Sequence, residues 1–261
     1  MLRTAPLLLN GAEIEIWPAA LLRARGNTDA RLLAQATHVL RRKRDGRYLA
    51  TVSARGVHSL VPRLPSEPGV AQALQLLDQR AETLEPHLQP LHALHQYLHH
   101  LGLDADRYAA DTGLALEAEP SVLHFAGRDR FARPLWLRRG AAHAWRRLRR
   151  HAAVDGIALD AISGYRSHAY QLGIFERKQA RGQSVDQILT VNAAPGFSEH
   201  HSGRALDIGT PGAPPAEEQF ETTAAFAWLQ TCAGQHGFHL SYPRDNPHGI
   251  VYEPWHWCWR G

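Results

Sequence analysis

The stretch Ser198-Glu199-His200-His201-Ser202-Gly203-Arg204-Ala205-Leu206-Asp207 decides how this chain is read. It passes from a polar, histidine-bearing run into Ala205-Leu206-Asp207-Ile208, an apolar strand pattern with a carboxylate set inside it. An aspartate buried in such a strand needs a positive partner, and a metal ion would be one. In an unbroken strand, the seven-residue offset from His200 to Asp207 would send the two side chains to opposite faces. Gly203 offers the bend that lets a loop histidine and a strand aspartate converge.

A third donor comes from Glu253-Pro254-Trp255-His256-Trp257. A catalytic zinc keeps three protein ligands and one open position. His200, Asp207 and His256 would supply two imidazoles and a carboxylate, although spacing alone leaves His201 an equal candidate. Trp255, Trp257 and Trp259 alternate, so in a strand their indoles share one face while His256 and Cys258 share the other. A fourth protein ligand would close the site, so Cys258 is read as a bystander. Glu253 lies three residues before His256, with Pro254 stiffening the link. That leaves a carboxylate beside the metal but free of it, the position a general base needs.

Ser163-Gly164-Tyr165-Arg166-Ser167 stands upstream of both stretches. Together, Ser-x-His-x-x-Gly-x-Ala-x-Asp at residues 198–207, Glu-x-x-His at 253–256, the Tyr-Arg-Ser element at 165–167 and Tyr242-Pro243-Arg244 resemble the VanY-type D-alanyl-D-alanine carboxypeptidases. Their wider group includes VanX-type dipeptidases, lysostaphin-like endopeptidases and the hedgehog signalling domain. The likeness covers roughly residues 120–261. It implies a small α+β zinc peptidase fold with His200 rather than His201 as ligand beside Asp207 and His256. It implies that Glu253 moves the proton, that Arg166 stabilises the oxyanion together with zinc, and that Ser198, Gln171 and Tyr165 contact substrate. The implied substrate is a peptidoglycan stem peptide or muropeptide ending in D-alanine. An L,D-carboxypeptidase, a D,D-dipeptidase or an endopeptidase would use the same scaffold. A hedgehog-like zinc-binding interaction domain would need neither Glu253 nor Arg166.

Composition bounds the remaining classes. The chain has 261 residues, 44% hydrophobic and 21% charged, an ordinary globular balance. The net charge of +4 is too small to argue for a nucleic-acid partner. No apolar run approaches the ~18 residues of a membrane-spanning helix. The start carries only the short apolar run Ala5 to Leu9 before Glu13 and Glu15, so no secretory signal is read. The default expectation is therefore cytoplasmic, with a periplasmic location requiring another export route. Cys232 and Cys258 are expected as free thiols.

The expected architecture is α+β, a small antiparallel sheet with flanking helices, because strands and helices do not alternate regularly. A boundary is placed near Glu117-Ala118-Glu119-Pro120, dividing an N-terminal accessory region, 1–118, from a peptidase domain, 119–261. In the first part, strands are expected at Glu13–Trp17 and Tyr48–Val52, with partly helical sequence from Ala19 to Lys43 and from Leu74 to Leu101. His92, His95 and His99 fall at helical spacing and read as a polar face, since no acidic residue joins them at a matching offset. In the second, a helix from Arg139 to Ala153 sets Ala141, Trp145, Leu148 and Ala152 on one face. Arg146, Arg147, Arg149 and Arg150 lie off it, as a solvated face or one drawn to an anionic polymer. Helices at Tyr170–Gln179 and from Thr222 to Gln235 follow, with strands at 157–162, 205–208, 238–242 and 250–252.

Overall fold

The computed structural model describes residues 6–24, 26–78, 86–91 and 93–261. The fold is mixed α+β with antiparallel sheets. The chain forms two compact units, residues 1–90 with 120–125, and residues 91–119 with 126–261. This division differs from the one expected at 118/119. Residues 91–119 join the second unit because Leu94, Leu98 and Tyr108 are buried with Ala193, Ala194, Phe197, Tyr242 and Ile250.

The first unit is built on β1 (Leu7–Asn10), β2 (Ile14–Pro18), β3 (His38–Arg42), β4 (Tyr48–Ser53), β5 (Gly56–Ser59) and the beginning of β6 (Val122–Arg128). The order is β5-β4-β3-β2-β1-β6, and each pair runs antiparallel. Helices α1 (Asn27–Gln35) and α2 (Val70–Asp78) accompany it. Leu9, Ile14, Ile16, Leu40, Leu49 and Ala50 form the core with Val70 and Ala73 of α2. The strands expected near 13–17 and 48–52 are present. The stretch from 19 to 43 is helical only in α1 and a short 3-10 turn, because Val39 and Leu40 are drawn into β3 between β2 and β4. The Asp45-Gly46 turn closes β3 onto β4, with Gly46 at φ 69°. Arg42 grips both Asp45 oxygens there, at 3.1 and 2.5 Å.

The second unit begins with α3 (Leu94–His100) and α4 (Ala105–Thr112). Asp104 caps α4 by accepting from the Arg107 N–H, and Gly113 ends it in the left-handed conformation. His95 and His99 lie on the exposed side of α3, as expected, while His92 falls outside the described residues. After β7 (Pro134–Leu137) comes α5 (Arg139–Val154). Its Ala141, Trp145, Leu148 and Ala152 are buried against Leu206, Ile208, Phe226, Leu229 and Trp257, while Arg147, Arg149 and Arg150 are exposed. A Cβ on Gly140 would overlap the Trp259 ring, so only glycine lets that indole rest on the start of α5.

Next come β8 (Asp160–Ser163), α6 (His168–Gln179), α7 (Val185–Leu189), β9 (Ala205–Gly209), α8 (Ala224–Cys232), β10 (Phe238–Leu240) and β11 (His256–Trp259). The four strands form an antiparallel sheet in the order β10-β11-β9-β8. Thr223, not Thr222, caps α8 by accepting from the Phe226 N–H, and Gly237 turns the chain at φ 78°. The expected strand at 250–252 is absent. Val251 N–H donates instead to Thr190 O, and this extended segment becomes a wall of the cleft described next. Both cysteines are free.

Candidate active site

Two neighbouring strands and one turn assemble the site. β9 and β11 pair so that Asp207 stands opposite His256. His200 sits on a 3-10 turn, Glu199–Ser202, whose end at Gly203 takes φ 68° before the chain enters β9. A left-handed residue at that position favours glycine, and it brings His200 back over Asp207. The ligand atoms of His200, Asp207 and His256 all lie within 4.8 Å of one another, and all three residues are buried.

Hydrogen bonding fixes what the His200 ring offers. His200 Nδ1–H donates to Gly164 O at 2.7 Å, because a carbonyl can only accept. Its Nε2 therefore turns a lone pair toward Asp207 Oδ1, 3.2 Å away. Both nitrogens of His256 face carboxylates, Nε2 at 2.9 Å from Glu199 Oε2 and Nδ1 at 3.2 Å from the same Asp207 oxygen, and the tautomer with Nε2–H on Glu199 turns the Nδ1 lone pair to Asp207. Two nitrogen lone pairs and a carboxylate oxygen thus converge with no proton between them in the neutral tautomers. Such an arrangement calls for a cation. Without one, His256 takes up a proton: burial opposes it, but the bonds to Asp207 and Glu199 carry its pKa up to about 10. Burial and the Arg166 charge push His200 down to about 4, so it stays neutral. The Asp207 carboxyl, despite its burial, is held well below the usual range by His200 and His256. Two imidazoles and one carboxylate, each ring oriented by an acceptor behind it, fit a catalytic zinc.

Glu199 emerges only from the structure. Its carboxylate accepts from His256, from the Ser241 hydroxyl at 2.5 Å, and lies 3.6 Å from Arg260. It sits next to His200 but hydrogen-bonds the other histidine, His256, and no spacing in the sequence signals that.

The three donors open into a cavity of ≈ 400 Å³. Arg166, Gln171, Ser198, Tyr242, Trp255 and Glu253 are among the residues lining it. Glu253 Oε2 lies 3.8 Å from His256 Nδ1. Burial pushes the Glu253 carboxyl up to about 7, against the opposing pull of His256 and Arg166. Gln171 is almost fully buried; its Nε2 donates to Ala193 O at 2.9 Å and its Oε1 is left without a partner. Tyr165 behaves differently from expectation. It is not among the residues lining the cavity, and its hydroxyl donates to Glu119 Oε2 at 2.5 Å.

His201, the rival of His200, is turned away from the donor set. Its Nδ1–H donates to Arg166 O at 2.7 Å and its Nε2 accepts from Gly196 N–H at 3.1 Å. Both ring nitrogens are thereby occupied by backbone.

Residues 134–261 match the family described as VanY, D-alanyl-D-alanine carboxypeptidase. This half of the chain is VanY-like. YodJ of Bacillus subtilis (strain 168) is 36% identical over 126 residues, 46% of this chain and 45% of that protein. A D-alanyl-D-alanine carboxypeptidase of Enterococcus faecalis is 32% identical over 120 residues, 42% of this chain and 43% of that one. The VanY-like stretch thus spans under half the length of both relatives. Among solved structures, the LdcB LD-carboxypeptidase is 33% identical, covering 48% of this chain and 60% of that one at a TM-score of 0.46. His200, Asp207, Glu253, His256, Arg166, Gln171 and Ser198 all lie in the VanY-like stretch. Glu119 does not. Among the described residues, no helix is long and apolar enough to cross a membrane.

Proposed function

We propose that this protein is a zinc-dependent D-alanyl-D-alanine carboxypeptidase that removes the terminal D-alanine from peptidoglycan stem peptides. The observation that carries this reading is the convergence of the His200 and His256 lone pairs on Asp207, beside the buried carboxyl of Glu253. His200, Asp207 and His256 would hold the metal. When bound, zinc supplies Lewis-acid polarisation of a carbonyl and lowers the pKa of a water molecule.

The chain's own groups do the rest. Glu253, with its pKa near 7, can take a proton from the attacking water and hand it to the leaving amine at neutral pH. Arg166 lines the same cavity and brings a fixed positive charge to the oxygen that becomes anionic. Gln171 belongs to the same wall, its amide held there by the bond from Nε2 to Ala193 O. Ser198 lies in the same wall and has a hydroxyl to offer. Tyr165 belongs to the support of this site rather than to its surface.

The test is mass spectrometry of a defined muropeptide mixture incubated with the zinc-loaded protein. Loss of one terminal D-alanine from pentapeptides is expected. Release of a dipeptide, trimming of tetrapeptides or internal cleavage would replace the D,D-carboxypeptidase reading by another hydrolase. A zinc-loaded protein inert toward every stem peptide would remove the enzyme reading altogether.

A further inference from the structure

Arg166 lacks the usual anchor of a catalytic arginine. Its Nε is buried with no hydrogen-bond partner, and among the described residues no carboxylate ion-pairs with it. Its position therefore falls to the backbone around it. Arg166 N–H donates to His200 O at 3.3 Å, and Arg166 O accepts from His201 Nδ1–H at 2.7 Å. The arginine peptide is tied on both sides to the turn that presents the first metal donor. One acid, Glu119, reaches residues on both sides of it, in addition to the backbone bond from Tyr165 N–H to Trp136 O. Glu119 is only 4% exposed, and both of its oxygens are engaged. Oε2 accepts from the Tyr165 hydroxyl at 2.5 Å, and Oε1 accepts from His168 N–H at 2.7 Å. His168 Nε2–H donates to Glu117 O at 2.8 Å, and its ring meets His201 edge to face, centroids 4.4 Å apart.

We infer that Glu119 is a positioning residue for Arg166, clamping the chain on either side of it so that the guanidinium is held in the cleft without a side-chain partner of its own. Glu119 reaches 46 and 49 residues along the chain to do so, from outside the VanY-like stretch. The segment that ends at Glu119 is thus a working part of the site and not an appendage to it. Pre-organisation accounts for the arrangement. A guanidinium tied to its own carboxylate would have its charge offset before the oxyanion forms, whereas one placed through its backbone keeps its donors for the substrate. This inference rests on the reading of Arg166 given above.

The test uses the full chain with Glu119→Gln and Tyr165→Phe, each alone and combined with Arg166→Ala. Tyr165→Phe removes one bond and leaves the buried carboxylate in place, so it guards against a Glu119 variant that fails to fold. On a D-Ala-D-Ala-terminated peptide, each single variant is expected to lower kcat by roughly 3- to 100-fold, the range a small misplacement can cost. KM should change less than kcat, and zinc content should stay at the wild-type level. In the Arg166→Ala background the same changes should add less than ~2-fold, because the group they position is gone. Additive losses in that background, zinc loss that parallels the fall in kcat, or wild-type turnover in both variants would overturn the inference. A second readout does not depend on turnover. The 15N–1H signal of Arg166 Nε, assigned by its loss in Arg166→Lys, should shift in both variants, and an unmoved signal refutes the positioning role. A wild-type protein inert on all peptides would instead refute the carboxypeptidase reading, and the Arg166 signal would still decide whether Glu119 sets the guanidinium.

Discussion

The proposed function gives Glu253 and the three convergent donors different jobs, and substitution separates them. Alanine at His200, Asp207 or His256 removes one of three ligands, so elemental analysis should find less than the one zinc per chain expected of the wild type. Glu253→Ala should keep its zinc and its melting temperature while turnover falls at least ~10²-fold, the lower end of what a general acid–base group contributes. Glu199→Gln should weaken zinc affinity by about 10–100-fold, as loss of the acceptor behind a ligating histidine does. Competition with a chelator of known affinity measures it. The convergence of His200, Asp207 and His256 was legible in the sequence through the family resemblance, which chose His200 over His201 where spacing could not, with Gly203 marking the bend. Glu199 was not legible. Its partners are Ser241 and His256, and only the pairing of β9 with β11 brings them within reach. Tyr165 failed for a related reason. Its place beside Arg166 suggested substrate contact, but Glu119, far away in sequence, turns its hydroxyl elsewhere.

At the scale of elements, the amphipathic pattern of α5 and the apolar run of β9 were readable because each follows the period of its own backbone. The segment at 250–252 has the same apolar character as a strand and is none, since its neighbour is the loop residue Thr190 and no strand edge is offered to it. Propensity could not see that absence. The contact between α5 and β11 allows a sharper test. Gly140→Ala drives a methyl into the Trp259 ring, so it should destabilise the protein by about 1–3 kcal/mol, the usual cost of overpacking. Chemical denaturation followed by tryptophan fluorescence checks this. A pairing with Trp259→Leu, which vacates the space, should recover much of the loss.

For the whole molecule, each of the two units has its own apolar core, and the three candidate metal donors all belong to the second. Chelation should raise amide exchange in residues 198–207 and 253–259, and leave β2 to β4 as protected as before. Acid should act on both, and in the first unit one ion pair reports it. Arg42 holds the Asp45 carboxyl at about 2, below its ordinary 3.8. The stability this contributes is complete above about 4 and is lost as pH falls toward 2. Exchange in β3 and β4 should therefore rise over that interval, modestly because Asp45 is partly exposed, and Asp45→Asn should flatten the rise. The division between the units was the least legible feature of the sequence. The acidic-proline stretch at 117–120 does mark a crossing, but the chain crosses there into the first unit, not out of it.

That crossing sets an order of events during synthesis. β1 has two neighbours, β2 on one side and residues 122–124 of β6 on the other. The second arrives only after α3 and α4 have been made. A nascent chain on the ribosome therefore carries the β1 edge bare while more than a hundred residues are translated, and a bare edge is what other strands pair with. Any fragment that stops before residue 122 keeps that edge permanently. Any fragment that starts after it begins without Glu119.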